Sequence, residues 1–588
     1  MVFSIFKHSR DFVTKRQETI LSAALVMMIA TFATKLLGVV KIVLLANMFG
    51  ATRALDIFYA ANTIPEIVFN LLVLGSLNTA LIPVLSECLS KKDSKKMLYV
   101  FNSVLSIACV ILVILGLFGI IFAGGITYLL VHLHVTTPNP PFTTDELSTM
   151  TYMTRVLFIS PIILGVSFLI SGMLIVQKRF LITQVASVLY TLGFIISIFA
   201  FVPFMGPIGL CWGVVLGSVL HLAVQLPVMK FLGLHIEFVI DLKETFMHKI
   251  GKLMLPRVLG LAGEQLGNLV DTVLALGLNS GSLTAFRYAY TYYIFPVSLI
   301  GWSFAQAAFP TLAEEYNEGR MDSFRQNFLK SLQQILYIIF PLTVIFIVLR
   351  LPLVRLLGIG QDTQFGWNGT NVTAWVLLFF GADIVFQSVL SLLIRGFYAM
   401  QDTKTPVLAS VFGLVLDIFL SIYLVTVFGR FDLNKDLLNN ITHISYFFSG
   451  KTGSWTAIGG LAASASITSA ITLVIMSWVF IKKVGAFNMR EVFTPITKKI
   501  AATIAMAFVM YGVYKILDEL MNTSRTIELL FLIAITCYIG VSVYILVTFL
   551  LKDEDITLIY RVVMRLRNIL YAKKDIATSL EPVEGVHE

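Results

Sequence analysis

Apolar residues fill this chain in long blocks, and polar residues are confined to the short stretches between them. A helix needs about 20 apolar residues to cross the hydrocarbon core of a bilayer. Segments of that kind are predicted at approximately 20–46, 57–83, 98–123, 152–174, 181–203, 206–229, 253–278, 288–311, 331–354, 373–394, 406–428, 455–481, 498–516 and 527–551. The pattern predicts an all-α polytopic membrane protein with about 14 transmembrane helices.

Composition agrees: of 588 residues, 57% are hydrophobic and 13% charged, and the mean hydropathy is +0.87. Soluble globular chains do not reach such values. Lysine and arginine concentrate in cytoplasmic loops, and they test the span assignment independently. With the N-terminus inside, 30 of the 43 basic residues fall in inner segments and 9 in outer ones. An even number of crossings then leaves both termini in the cytoplasm. The net charge of +9 describes an inner surface facing membrane lipids rather than a nucleic-acid footprint. The first apolar run is too long for a signal peptide and lacks a small-residue cleavage site. Cys88, Cys109, Cys211 and Cys537 have no paired spacing, so neither a disulfide framework nor a cysteine metal site is expected.

The blocks repeat. LGVVKIVLLANMFG from Leu37 matches LGNLVDTVLALGLN from Leu266, and ALIPVLSE from Ala80 matches AAFPTLAE from Ala307. GMLIVQK from Gly172 answers GFYAMQD from Gly396, and PIGLCWG near Pro207 answers AIGGLAA near Ala457. Two parallel six-helix repeats plus a C-terminal helix pair follow, since an even-numbered unit keeps its orientation when duplicated. The expected organisation is a cytoplasmic N-terminal segment (1–19), an N-terminal lobe (20–230), a cytoplasmic linker (231–252), a C-terminal lobe (253–482), two additional spans (483–551) and a cytoplasmic tail (552–588). Within the tail, Thr557 to Lys574 has the spacing of a surface-lying amphipathic helix or of a plain solvated one.

Charges inside the blocks are the candidate chemistry, because an ionised side chain in hydrocarbon is costly and usually functional. Lys35 and Lys41 lie in the first span, about 120° apart around a helix and about 9 Å apart along it. Gly38 between them permits close packing or a bend that turns both into one cavity; snorkelling to the interface is the alternative. Facing a cavity, they favour an anionic ligand, and Arg257 and Arg287 are placed to join them, since such groups suit phosphate oxygens. Asp56 stands near the outer end of the second span, where it is expected to orient a basic partner. Asp271 and Asp417 are lone carboxylates inside the seventh and eleventh spans. With Ser464 or Ser466 they are candidates to bind Na⁺ or share a proton; pairing of a carboxylate with Arg257 competes. No Walker loop, Rossmann fingerprint or HExxH motif is present. No organic cofactor is implied, and an ion gradient or the membrane potential is left as the energy source.

The stretch LLGVVKIVLLANMFGATRALDIFYAANTIPEIVFNLLVLGSLNTALIPVLSE (Leu36 to Glu87) is similar to the first two helices of the MurJ/MviN lipid II flippases. Their pattern runs LGxxRDxxxAxxFGAGxxxDAFxxAxxxPNxxRxxxxEGAFxxAFVPxxxE. RGFYAMQDTKTP (Arg395 to Pro406) resembles their RxFYAxxDTxTP. The family lies within the multidrug/oligosaccharidyl-lipid/polysaccharide exporter superfamily. The resemblance implies export of an undecaprenyl-pyrophosphate-linked peptidoglycan precursor from the inner to the outer leaflet of a bacterial inner membrane by alternating access, alongside other cell-wall synthesis proteins. It carries the first-helix basic pair to Lys35 and Lys41, the following acid to Asp56, and the loop motif to Arg395 and Asp402. The family's second-helix basic pair falls on Phe69 and Asn70, its glutamate on Leu74, and its eighth-helix arginine on Thr291. Arg287, one turn before Thr291, and Arg257 are the candidate replacements.

Three other functions compete. One is export of another polyprenyl-linked oligosaccharide or of amphipathic drugs. Another is a membrane glycosyltransferase, for which the loop from Gly429 to Ser454 offers only Asp432, Asp436 and His443 in no recognisable pairing. The third is a receptor or scaffold.

Overall fold

The structure is a computed structural model that describes residues 20–133, 141–241, 245–358, 364–430, 455–485, 487–523 and 525–557. The N-terminal segment, most of the loop after Gly429 and the proposed tail helix lie outside the described residues.

Among the described residues, most helices follow one another with short connections. The first copy of the repeat holds α1 (Ile20–Phe49), α2 (Arg53–Phe69), α3 (Asn78–Ser90), α4 (Ser94–Ile121), α5 (Ala123–His132), α6 (Thr144–Leu157), α7 (Ile159–Val176), α8 (Phe180–Ala200), α9 (Val202–Met205), α10 (Ile208–Ala223) and α11 (Leu226–Phe231). The second holds α12 (Thr245–Leu276), α13 (Ser282–Pro296), α14 (Ser303–Asn317), α15 (Met321–Val348), α16 (Arg350–Arg355), α17 (Gly366–Ala399), α18 (Lys404–Arg430) and α19 (Gly459–Val484). Two long helices, α20 (Met489–Leu520) and α21 (Thr526–Leu550), follow. Each predicted span falls on helical chain. Among the described residues, ten helical segments are long and apolar enough to cross a membrane. Helices predominate because lipid offers no partner for a bare peptide group, and only intrahelical bonds satisfy the backbone.

The internal repetition reappears as backbone geometry. A π-helical stretch, Asn70–Leu77, joins α2 to α3, and a second, Val297–Trp302, joins α13 to α14. The prolines that follow, Pro83 in α3 and Pro310 in α14, also correspond. Left-handed residues close matching helices: Lys92 and Gly319, Lys178 and Gln401, Gly233 and Gly485.

The chain forms two compact units. The first comprises Met1–Tyr290, Val354–Val376 and Ser410–Thr468. In it α8 packs on α1 and α10, α6 packs on α2, and α12 packs on α2 and the first π-helical stretch. Small residues let these helices approach: a Cβ added to Gly193 on α8 would lie 2.6 Å from the Cα of Gly217 on α10. The second unit comprises Thr291–Leu353, Leu377–Ala409 and Ser469–Glu588. There α20 packs on α21 and α15, and α14 packs on α15. Lys499 on α20 is fully buried between Asp553 (3.1 Å) and Asp555 (2.9 Å), just beyond α21. Removing either partner class would strand a buried charge, so the triad fixes the register of this helix pair.

Candidate functional site

The first unit contains a polar seam among apolar helices. On α2, Tyr59, Asn62, Thr63, Glu66 and, on the π-helical continuation, Asn70 recur at three- and four-residue spacing, which places them on one face. On α12, Gln265, Asn268, Asp271 and Thr272 do the same. The two faces meet. The Thr63 and Thr272 hydroxyls are 3.5 Å apart, and the Asn70 amide donates to Gln265 Oε1 at 3.4 Å. Arg287 on α13 donates from Nη2 to Thr272 Oγ1 at 3.1 Å and lies within electrostatic reach of Asp271 and Tyr59. Lys41 on α1 sits over the Phe194 ring of α8, its ammonium 5.2 Å from the centroid, and within electrostatic reach of Glu66. Electrostatic reach thus links Lys41 to Glu66, Glu66 to Tyr59 and Tyr59 to Arg287.

Beside this seam stands a carboxylate pair. Asp271 on α12 and Asp417 on α18 interact electrostatically. The Ser464 hydroxyl of α19 donates to Asp417 Oδ1 at 2.7 Å, and the Ser421 hydroxyl of α18 lies 2.6 Å from Ser464. Of the residues the sequence singled out, Asp417 and Ser464 are hydrogen-bonded and Asp271 lies within electrostatic reach of Asp417; Ser421 is an addition. Carboxylate and hydroxyl oxygens are hard donors, the chemistry that Na⁺ or a shared proton would use here.

Asp56 has Arg53 within electrostatic reach, and its carboxylate also caps a helix. It is buried at 2% exposure, and its carboxylate accepts from the Gly281 N–H (2.5 Å), the Thr284 N–H (2.8 Å) and the Thr284 hydroxyl (2.8 Å). The partner is the N-terminus of α13, where free amides and the helix dipole favour a negative charge. A cap was invisible locally because its donors lie 225 and 228 residues downstream. The same joint holds two glycines with positive φ. A Cβ on Gly50 (φ +65) would lie 2.3 Å from the Gln364 carbonyl oxygen, and one on Gly281 (φ +88) would lie 2.1 Å from that of Ala51. Backbone thus meets backbone where the α1–α2 turn touches the start of α13 and the chain leading into α17.

Other expectations resolve individually. Lys35 is exposed on α1, whereas Lys41 is half-buried. Gly38 lies inside α1, which is helical from Ile20 to Phe49, and an added Cβ there meets nothing within 4 Å. Arg257 lies on α12, but its side chain is outside the described residues. The Arg395 guanidinium sits 5.9 Å from the Phe309 ring centroid. Asp402 starts α18: it accepts from the N–H groups of Lys404 and Thr405 (both 3.1 Å) and from the Thr405 hydroxyl (2.6 Å), and it pairs with Lys483. Burial works to raise its pKa, yet these hydrogen bonds and the Lys483 charge outweigh burial and hold it down to about 2. The DTKTP motif is therefore a turn-and-cap device after left-handed Gln401. Sequence reasoning gave no role to Tyr59, Phe194, Thr272 or Glu66; the period of polar residues along α2 was the signal available for two of them.

Residues 45–434 match the family model of the lipid II flippase MurJ. The chain belongs to the MurJ family. Among curated MurJ relatives, a probable lipid II flippase MurJ of Buchnera aphidicola subsp. Acyrthosiphon pisum is 26% identical over 82% of this chain and 88% of its own length. The one of Vibrio cholerae is 24% identical over 68% of this chain and 77% of its own length. A solved structure, described as lipid II flippase MurJ in an inward closed conformation, superposes with a TM-score of 0.68 at 20% identity, covering 90% of this chain and 98% of that one. An inward-facing multidrug resistance MATE family transporter of the MOP superfamily superposes at 0.57 with 13% identity over 77% of this chain and 96% of its own. These likenesses show a multi-pass, all-helical transporter fold.

Proposed function

We propose that the protein is a transporter, not an enzyme, that moves lipid II, the undecaprenyl-pyrophosphate-linked peptidoglycan precursor, from the inner to the outer leaflet of a bacterial inner membrane by alternating access. The observation that carries this reading is the seam itself. Lys41 and Arg287 stand among hydroxyls, amides and carboxylates on membrane-crossing helices of a MurJ-family chain. They supply the cations for the pyrophosphate, with Arg257 on α12 and Lys35 further along α1 as guides for its approach. Asp271, Asp417, Ser464 and Ser421 are the coupling site, taking Na⁺ or H⁺ so that a gradient drives the cycle.

With both termini cytoplasmic, the Asp56 joint lies at the outer end of α2 and α13. It ties the two repeats on the side where substrate leaves, so release requires this joint to part. At the inner end, Glu87 on α3 pairs with Lys249 on α12 (2.5 Å) and Lys91 (2.9 Å), a second tie between repeats. The Lys249 and Lys91 hydrogen bonds hold the Glu87 carboxyl down to about 2, so this tie is charged at cellular pH. Opposed ties at the two ends are what an alternating carrier needs.

Depletion of the protein in its native cell tests the function. Lipid-linked precursor should accumulate in the inner leaflet; an unchanged leaflet distribution removes the flippase reading, and accumulation of a different polyprenyl-linked glycan replaces its substrate.

A further inference from the structure

The seam is not simply cationic. Glu66 lies on the same face of α2 as Tyr59, Asn62 and Asn70, and it is the exposed residue of that face. Among the described residues its hydrogen-bond partner is the neutral Asn62 amide, at 3.2 Å. Lys41 is near enough to feel its charge, yet the ammonium is seated over Phe194 and forms no ion pair with Glu66. Had Glu66 served to neutralise Lys41, the two would be in contact, since an ion pair inside a membrane protein stabilises both charges. Opposite charges held close but apart, with the carboxylate accessible, suit a ligand that brings one group for each. Tyr59, Tyr190 and Arg287 complete the surroundings: both phenols lie within electrostatic reach of Glu66, and Tyr59 within reach of Arg287.

We propose that Glu66 is a specificity residue that receives a protonated amine of the substrate headgroup while Lys41 and Arg287 hold its phosphates. The inference rests on the flippase reading and adds to it the class of headgroup: zwitterionic, with a free amino group on the peptide portion. A carboxylate–ammonium hydrogen bond in a partly desolvated site changes affinity by about tenfold or more.

The experiment uses the full-length protein in lipid nanodiscs and two probes: a polyprenyl-pyrophosphate-linked disaccharide–peptide with a free side-chain amine, and the same molecule with that amine acetylated. The wild type should bind the free-amine probe about tenfold more tightly. Glu66→Gln, which keeps the shape and the Asn62 contact, should lower affinity for the free-amine probe to that of the acetylated one and leave the acetylated probe unaffected. Glu66→Asp should retain part of the preference. Three results overturn the proposal: equal binding of both probes by the wild type, equal weakening of both by Glu66→Gln, which marks a role exerted through Lys41, or no effect of the substitution. If the wild type binds neither probe, the flippase reading falls with it; in the other cases that reading survives.

Discussion

Replacing Asp56 by alanine tests the outer joint. The substitution removes three hydrogen bonds, two of them to backbone amides at the start of α13. Loss of an N-cap costs about 1 kcal/mol, and each buried amide left without a partner about 1–3 kcal/mol. If partial rehydration recovers some of this, the joint loses about 2–4 kcal/mol. Any conformation in which α2 and α13 separate does not have that interaction to lose, so the equilibrium shifts toward it by about 30-fold or more. Ser282, fully buried beside the cap, reports the change. A Ser282→Cys variant in a background lacking the four native cysteines should react slowly with a membrane-impermeant maleimide added outside. Adding Asp56→Ala should raise the rate by about 30-fold or more. Asp56→Asn, which keeps one acceptor oxygen, should fall between. An unchanged rate in Asp56→Ala would refute the assignment of Asp56 as the tie, and so would loss of headgroup binding with the labelling rate unchanged.

The remaining predictions concern the seam, the ion site and the loop. Arg287→Ala should reduce transport at least tenfold, with Arg287→Lys retaining part of it because the charge remains while the fork is lost; intact transport in the alanine variant would remove Arg287 as the replacement for the missing eighth-helix arginine. Asp417→Asn should abolish the dependence of transport on a Na⁺ or H⁺ gradient while headgroup binding persists, and flux assays with each gradient imposed separately distinguish the two ions. Asp402, whose carboxyl sits near 2 in the folded chain against about 3.9 when unfolded, contributes stability that is complete above about pH 4 and lost as pH falls through 2. Unfolding midpoints of the wild type and Asp402→Asn should therefore converge as pH is lowered over that window, and a constant gap between them contradicts the ion pair with Lys483.

The spans, the repetition and the Asp271–Asp417–Ser464 cluster were legible because each is a local or periodic signal. Apolar length marks a crossing, and a lone carboxylate inside one marks a polar environment whatever its partner. Asp56 was legible as buried charge and illegible in role, since a cap is defined by a helix start that packing delivers from more than 220 residues away. The lysines show the same limit. Sequence spacing set the angle between Lys35 and Lys41, but only the packing of α8 decided that Lys41 meets Phe194 while Lys35 stays exposed. Glu66 stood out as an acidic residue but had no role assigned, because Lys41, which lies within its electrostatic reach, belongs to another helix.

The paired π-helical stretches at Asn70–Leu77 and Val297–Trp302 have a historical reading. A π-turn arises when an α-helix gains one residue without moving its ends, and both copies carry that gain at the same place. Independent insertions would have to coincide, so the gain is most simply older than the duplication, carried once and copied with the half that bore it.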